Sequence, residues 1–314
     1  MIDLDFRDTE GLIASYLLPE DDGWSLIETG PTTCRPALLA GLAEAGVDPG
    51  EVRRVFVTHI HLDHAGGVGA LLEALPHATF YAHRFGVSHL VDPTRLVAST
   101  RRTWGAAADR LWGEIVPVDP RRIRPLDGGE RFPLRQGELT VLATPGHARH
   151  HLAFFDTRRR ALFTGDGAGV RLASSPRIRP AVPPPDLDLE QLYASLEAMR
   201  RTDPALLLYS HFGPSPRGVQ DLTTYREIVE EWRAVAYDAA VSAPDPVVIA
   251  ARLREHEERR LSALGVSLTA ADRASLVSGY DLAAQGFLRY FQTRGMLGPS
   301  GAPGAATSPT DRPP

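Results

Sequence analysis

A chain of 314 residues with 43% hydrophobic and 23% charged side chains can bury an enzyme-sized core, which excludes a wholly disordered protein. Its net charge of -5 comes from acids and bases scattered along the sequence, so no basic stripe follows a phosphate backbone and nucleic acid is not an expected partner. All 34 basic residues are arginine, which removes Schiff-base chemistry and the phosphate-loop lysine; the single cysteine, Cys34, can form neither an internal disulfide nor a thiolate metal site and reads as a small buried hydrophobe.

The first residues, MIDLDFRDTE, are acidic where a secretory leader would be basic and then apolar. No stretch approaches the roughly 18 uninterrupted apolar residues of a membrane span, so a cytoplasmic protein without a membrane partner is expected. Short β-like runs follow at Ile2 to Phe6, Ile13 to Leu18 and Ser25 to Glu28, the last closed by Thr29-Gly30-Pro31. Leu38, Leu39 and Leu42 at helical spacing predict a helix from about Pro36 to Ala45, stopped by Gly46 before a strand at Arg53 to Val57.

That strand runs directly into THIHLDHAGG, residues 58 to 67, which packs three histidines and an aspartate into a few positions. Alternate side chains of an extended segment point the same way, so His59 and His61 can grip one ion while Asp63 and His64 reach a second position beside it. Imidazole and carboxylate suit zinc, and equally iron or manganese. Gly67 to Leu75 then reads as a helix and Thr79 to Ala82 as a strand, giving an α/β alternation. A largely helical stretch from about Phe85 to Leu111 stands as an insertion.

Strand signals return at Leu139 to Ala143, Leu152 to Phe155 and Ala161 to Thr164. Pro183-Pro184-Pro185 links to a helix from about Leu187 to Arg201, and Ala205 to Tyr209 is the last convincing strand. Three polar residues appear where these apolar strands stop: His147 in LATPGHARHH, Asp166 in ALFTGDGAG and His211 in LLLYSHFGP. Gly165, Gly167 and Gly169 match no nucleotide-binding loop and read as close turns around Asp166.

Beyond Arg217 the pattern turns helical, over Leu222 to Ala239, Pro246 to Leu261 and Ala270 to Phe291, so a catalytic domain over 1–215 and a helical subdomain over 216–294 are expected. The last residues, 295–314, are rich in Gly, Pro, Ser and Thr and are expected to be a disordered tail. The C-terminal helices could serve a homo-oligomer interface or a lid, although such helices more often cap a core.

The set His-x-His-x-Asp-His, Pro-Gly-His, Thr-Gly-Asp and Ser-His-Phe-Gly resembles the metallo-β-lactamase superfamily, nearest in style to the glyoxalase II-like hydrolases, over roughly residues 1–215. The resemblance implies an α/β fold, a four-layer αββα sandwich with a dinuclear site at the sheet edges, here carrying a helical C-terminal extension. By that likeness His59, His61 and His147 hold a first metal, Asp63, His64 and His211 a second, and Asp166 bridges them. The family often has Gly-His where this chain has His150-His151, which makes His151 an orienting group and His150 a departure. Glu28, in LIETG, stands where relatives commonly carry aspartate and is either a support for a loop or ligand or an exposed side chain. His77, His83, His89 and His256 lack carboxylate partners and read as ordinary histidines.

Two divalent ions bring four positive charges; Asp63, Asp166 and one bridging hydroxide cancel three, leaving about +1 and favouring an anionic small-molecule substrate. A metal-bound hydroxide would attack an ester, thioester or lactone carbonyl, with Asp63 moving the proton. Tyr16, Tyr193 and Tyr209 could each donate to an oxyanion. The pocket is expected from the insertion and the C-terminal helices, with Arg95, Arg101, Arg102, Trp104 and Trp112 prominent. Glyoxalase II-like enzymes commonly use basic residues, lysine among them, to hold glutathione, and this chain has no lysine. The competing reading is an iron-dependent oxidoreductase on the same scaffold, as in the persulfide dioxygenases, which the complete second-metal set argues against.

Overall fold

The computed structural model describes residues 1–171, 177–263, 265–266 and 279–298. Two six-stranded sheets lie face to face. The first runs in chain order, β1 (Ile2–Asp3), β2 (Ala14–Pro19), β3 (Trp24–Ile27), β4 (Val52–Phe56), β5 (Thr79–His83) and β6 (Ile123–Leu126), the last four mutually parallel. The second begins at one edge with the antiparallel run β7 (Arg131–Pro133), β8 (Glu138–Ala143), β9 (Leu152–Asp156) and β10 (Ala161–Gly165). The short strands β11 (Val170–Arg171) and β12 (Ile178–Arg179) form a separate ribbon; β13 (Leu206–Tyr209) then returns parallel to β10, and β14 (Gly213–Ser215) closes the edge.

Period-two alternation in the strands sorts their side chains between two faces. Val55 and Leu26 point outward, beneath Leu38 and Leu42 of α1 (Arg35–Glu44). Their neighbours Phe56 and Ile27 point inward and meet Leu139, Val141, Phe154 and Phe163 of the other sheet. The rings of Phe56 and Phe154 touch across the sandwich, 5.4 Å between centroids. Each such buried Leu or Phe contributes about 1.5–3 kcal/mol before the cost of ordering it.

The loop after β4 enters α2 (Leu62–Ala65) and then α3 (Val68–Ala74), whose Leu71 and Leu72 join the outer core of the first sheet. The insertion holds α4 (Arg84–Val91), α5 (Thr94–Trp104) and α6 (Ala108–Trp112), close to the expected helical stretch. Against the second sheet lie α7 (Leu189–Arg201) and α8 (Gly218–Ser242), and α9 (Pro246–Ala263) and α10 (Tyr280–Thr293) pack on α8 and on each other. Leu162 and Leu207 of that sheet share one hydrophobic cluster with Leu196, Trp232, Leu253 and Phe287. The architecture is therefore an αββα sandwich with added C-terminal helices. Among the described residues no helix is long and apolar enough to cross a membrane.

Differences from the sequence reading are local. β1 stops at Asp3 because Asp5, Arg7 and Asp8 adopt left-handed backbone, although Leu4 and Phe6 are buried all the same. β6, β7 and β14 are strands that periodicity missed. The segment expected to be helical over Ala270 to Phe291 is described only from 279, where α10 supplies its second half, and most of the tail expected over 295–314 lies outside the described residues.

Candidate metal centre

Four loops deliver the polar groups, one from the end of β4 and three from the ends of β8, β10 and β13. His61 precedes the short helix α2 as its N-cap, and the helix carries Asp63 and His64, the His64 ring lying 4.0 Å from that of His59. His59 Nε2 lies 2.9 Å from His61 Nδ1, which is 3.0 Å from His147 Nε2. His64 Nε2 and His211 Nε2 are 3.2 Å apart, with Asp63 Oδ2 3.6 Å from His211 Nε2. Two nitrogens bound to one tetrahedral zinc at 2.0–2.1 Å stand about 3.3 Å apart, so these spacings suit donors sharing an ion. Three overlapping groups could each hold an ion: His59, His61 and His147; Asp63, His64 and His211; and, between these, His59, His64 and Asp166.

Asp166 lies between the first two groups. Its Oδ1 is 3.5 Å from His64 Nε2 and 3.6 Å from His211 Nε2, while its Oδ2 is 3.6 Å from His147 Nε2. Oδ1 is buried without a hydrogen bond. An orphaned buried carboxylate oxygen is costly unless something positive reaches it.

The outer edges of the rings decide what the inner edges offer. His147 Nδ1 faces the Ala181 carbonyl at 2.8 Å and His211 Nδ1 the Leu12 carbonyl at 2.7 Å. Carbonyls only accept, so each Nδ1 carries the proton and each neutral ring turns a bare Nε2 inward. Thr58 donates its hydroxyl to Glu28 Oε1 over 2.6 Å and accepts from His59 Nδ1 at 3.0 Å, with the same result for His59. Lone pairs facing one another around a carboxylate repel unless a cation lies among them; the donor set fits metal ions.

Electrostatics agree. Burial pushes His59, His61 and His147 below their ordinary value, and neighbouring imidazoles add to this at His59 and His61. At His64 burial opposes charge as well, but Glu28, Asp166 and Asp63 outweigh it and hold the ring well above its ordinary value. Burial would raise Asp166, yet His64 and His211 pull it down. The carboxylates of Glu28, Asp166 and Asp63 thus favour positive charge at this end of the cluster.

Glu28 is the residue whose role the sequence left open. It is fully buried, and its Oε1 also accepts from His64 Nδ1 at 3.1 Å and Ser210 Oγ at 2.9 Å. One carboxylate thus holds His64 directly, His59 through Thr58, and the residue preceding His211. His151 donates to Thr144 Oγ1 through Nδ1 at 2.8 Å and accepts the Gly167 N–H at Nε2 over 3.2 Å, which anchors the Asp166 loop. A Cβ on Gly165, at φ +49°, would come 2.4 Å from Thr58 Oγ1 and 2.7 Å from His151 Nε2, so that turn requires glycine.

A second support comes from the C-terminal helices. The ring of Tyr225, on α8, packs where a Cβ on Gly169 would reach it at 2.6 Å. Its hydroxyl accepts from Ala181 N at 3.4 Å, in the residue whose carbonyl fixes His147.

A cavity of about 410 Å³ opens on this cluster, lined at its base by His61, Asp63, His147 and Asp166. Arg95, Trp104 and Trp112 line it as expected; Arg101 instead approaches Asp109 at 3.8 Å, and Arg102 is exposed away from it. His89 and His150, which carried no predicted contact, are also in its wall, whereas His77 is exposed and His256 faces Glu231 at 3.7 Å. None of the three tyrosines considered for an oxyanion lines it. Tyr16 donates to the Tyr209 carbonyl at 2.6 Å, Tyr209 reaches Asp221 at 3.5 Å, and Tyr193 lies under Arg226. Cys34 is buried, and burial pushes its thiol up to about 12, so it stays a neutral hydrophobe.

Residues 8–211 match the family model of the metallo-beta-lactamase superfamily, and the chain belongs to that superfamily, whose members bind metal ions. It is 27% identical over 205 residues to the uncharacterized protein YobT of Bacillus subtilis (strain 168), covering 62% of this chain and 81% of that one. It is 29% identical over 191 residues to a hydroxyacylglutathione hydrolase of Synechococcus sp. (strain JA-2-3B'a(2-13)), covering 59% of this chain but only 58% of that enzyme. A metallo-beta-lactamase family protein from Thermus thermophilus shares the fold, with a TM-score of 0.64 at 22% identity over 91% of this chain and 90% of the other.

Proposed function

We propose that this chain is a dinuclear metal-dependent hydrolase that cleaves the ester, thioester or lactone bond of a small anionic molecule. The observation that carries the reading is Asp166, whose two oxygens face different nitrogen groups while one of them lacks any hydrogen bond. His59, His61 and His147 would hold one ion, Asp63, His64 and His211 the other, and Asp166 both. Two divalent ions, zinc by preference with iron or manganese as alternatives, supply Lewis acidity and a water whose pKa falls from about 15.7 towards 7.

The chain's own residues do the rest. Glu28, Ala181 and Leu12 fix the ring orientations before substrate arrives, which spares reorganisation during the reaction. Asp63 lines the cavity with its side chain 13% exposed, so its carboxylate can take a proton from the attacking water and return it to the leaving group. The matched hydroxyacylglutathione hydrolase supports the thioester option. The convergence of Asp63, His64 and His211 favours this reading over the mononuclear iron oxidoreductase.

Metal analysis of purified protein, followed by assay against thioesters, lactones, β-lactams and phosphodiesters, tests the reading. Two equivalents of zinc with carbonyl-ester turnover support it. One iron per chain with oxygen consumption and no hydrolysis would overturn it.

A further inference from the structure

Above its polar base, the cavity has an apolar wall built by elements outside the sandwich. Leu96 and Trp104 come from α5, Trp112 from α6, Pro183 from the proline link and Leu282 from α10. Trp104 and Trp112 meet edge to face at 5.5 Å, and the buried indole N–H of Trp112 has no acceptor. Such a wall favours apolar ligand surface laid on it and penalises unpaired peptide groups. A volume of about 410 Å³ lies in the range of about 300–1,000 Å³ usual for small-molecule sites.

Two arginines stand on this wall, and they differ. Arg149 approaches Asp186 at 3.9 Å and lies over the Phe85 ring at 5.6 Å. Arg95, exposed on α5, has no carboxylate within 4.0 Å among the described residues. Asp92, the acid just before it in sequence, accepts from Thr94 through its hydroxyl at 2.6 Å and its N–H at 3.1 Å. Arg95, in no ion pair within 4.0 Å among the described residues, lines the same cavity as the apolar wall and the buried histidine and aspartate cluster.

Resting on the hydrolase reading, we propose that the substrate is an amphipathic acyl ester or thioester. Its alkyl or aryl acyl body lies along Trp104, Trp112, Leu96 and Leu282, and its far end carries a carboxylate or similar anion held by Arg95. Water adds to the acyl carbon, the C–O or C–S bond breaks, and a dicarboxylate leaves with the alcohol or thiol and one proton. Arg95 and the apolar wall are specificity determinants; neither touches the scissile bond.

The holoenzyme is assayed with p-nitrophenyl monoesters of unbranched dicarboxylic acids, from succinate to sebacate, beside p-nitrophenyl alkanoates of matched length. A preference for the charged series that peaks at one chain length is expected. Arg95→Ala should lower the charged-to-neutral ratio of kcat/KM about tenfold, through KM, while Trp104→Ala lowers both series. An equal effect of Arg95→Ala on both series, or S-D-lactoylglutathione outrunning every acyl ester, overturns the proposal. Tryptophan fluorescence titration with suberate separates the two readings. If nothing is hydrolysed but suberate binds and Arg95→Ala weakens it, the hydrolase reading fails and the anion-and-apolar-wall assignment stands. Suberate binding that ignores Arg95→Ala sinks the assignment.

Discussion

Glu28 accepts a hydrogen bond from His64 Nδ1 at 3.1 Å, and His64 in turn directs Nε2 to within 3.2 Å of His211 Nε2 and 3.5 Å of Asp166 Oδ1. The acid lies a layer behind the donors yet governs two of the loops that carry them.

Replacing Glu28 by glutamine keeps its shape and removes its charge. Its amide oxygen can take the place of Oε1, where Thr58, Ser210 and His64 donate, but the NH2 then meets the Thr58 N–H that Oε2 accepts at 3.4 Å, and the negative charge facing His64 is gone. Supports of this kind are worth about 10–100-fold in metal affinity, so Glu28→Gln is expected to weaken binding by that factor while the chain remains folded. Competition with a chromophoric chelator measures it, and unchanged affinity would contradict the assigned role.

Asp166→Ala removes the only carboxylate among the described residues that faces both nitrogen groups. Metal content and hydrolysis should fall together, with at least one equivalent lost per chain. A variant that retains both ions and full turnover refutes the bridging assignment.

Acid should weaken the metal-free protein. Burial leads in holding His59, His61, His147 and His151 below their ordinary value, and takes His150 to about 3. Groups of this sign favour the folded state above the unfolded value of about 6.5 and forfeit that contribution as pH drops below it. His64, raised by Glu28, Asp166 and Asp63 against the effect of burial, acts the other way: its contribution is present below about 6.5 and is lost as pH rises through its folded value. With His83 also lowered by burial, six against one predicts that Tm of the chelator-treated chain declines from pH 7.5 to 5.5. A flat or rising Tm would be inconsistent with these buried neutral rings.

Gly165→Ala tests the turn beneath Asp166. The added methyl collides with Thr58 and His151 at a backbone angle that L residues rarely adopt, a strain of about 1–3 kcal/mol. Reduced Tm and reduced metal retention are expected together, from paired calorimetry and elemental analysis; a normal Tm with full metal would show that the turn has slack.

The sandwich and the seven clustered residues were legible because both are local signals. Each donor follows an apolar strand, and the strand and the donor sit within a few residues of one another, as in His59 after β4 and Asp166 after β10. The strands that escaped notice share a physical cause. β6, β7 and β14 lie at sheet edges and contain Pro125, Pro133 and Pro214, a residue that edges tolerate and that weakens any strand pattern. Glu28 was ambiguous because its partners, Thr58, His64 and Ser210, are distant in sequence, and no periodicity reports a contact of that kind. The pocket arginines were equally opaque: Arg95 and Arg101 lie on one helix, and only packing turns the first toward the cavity and the second toward Asp109.

Tyr225 gives the C-terminal helices a part in the cage itself. It wedges against Gly169 and steadies Ala181, so the ring of His147 is set partly by a side chain that the family match, ending at 211, does not reach. Relatives that exchange this helical region would thereby retune ion retention along with whatever they admit through the entrance. Removing the Tyr225 ring would free the Ala181 segment and, through its carbonyl, the proton-bearing edge of His147.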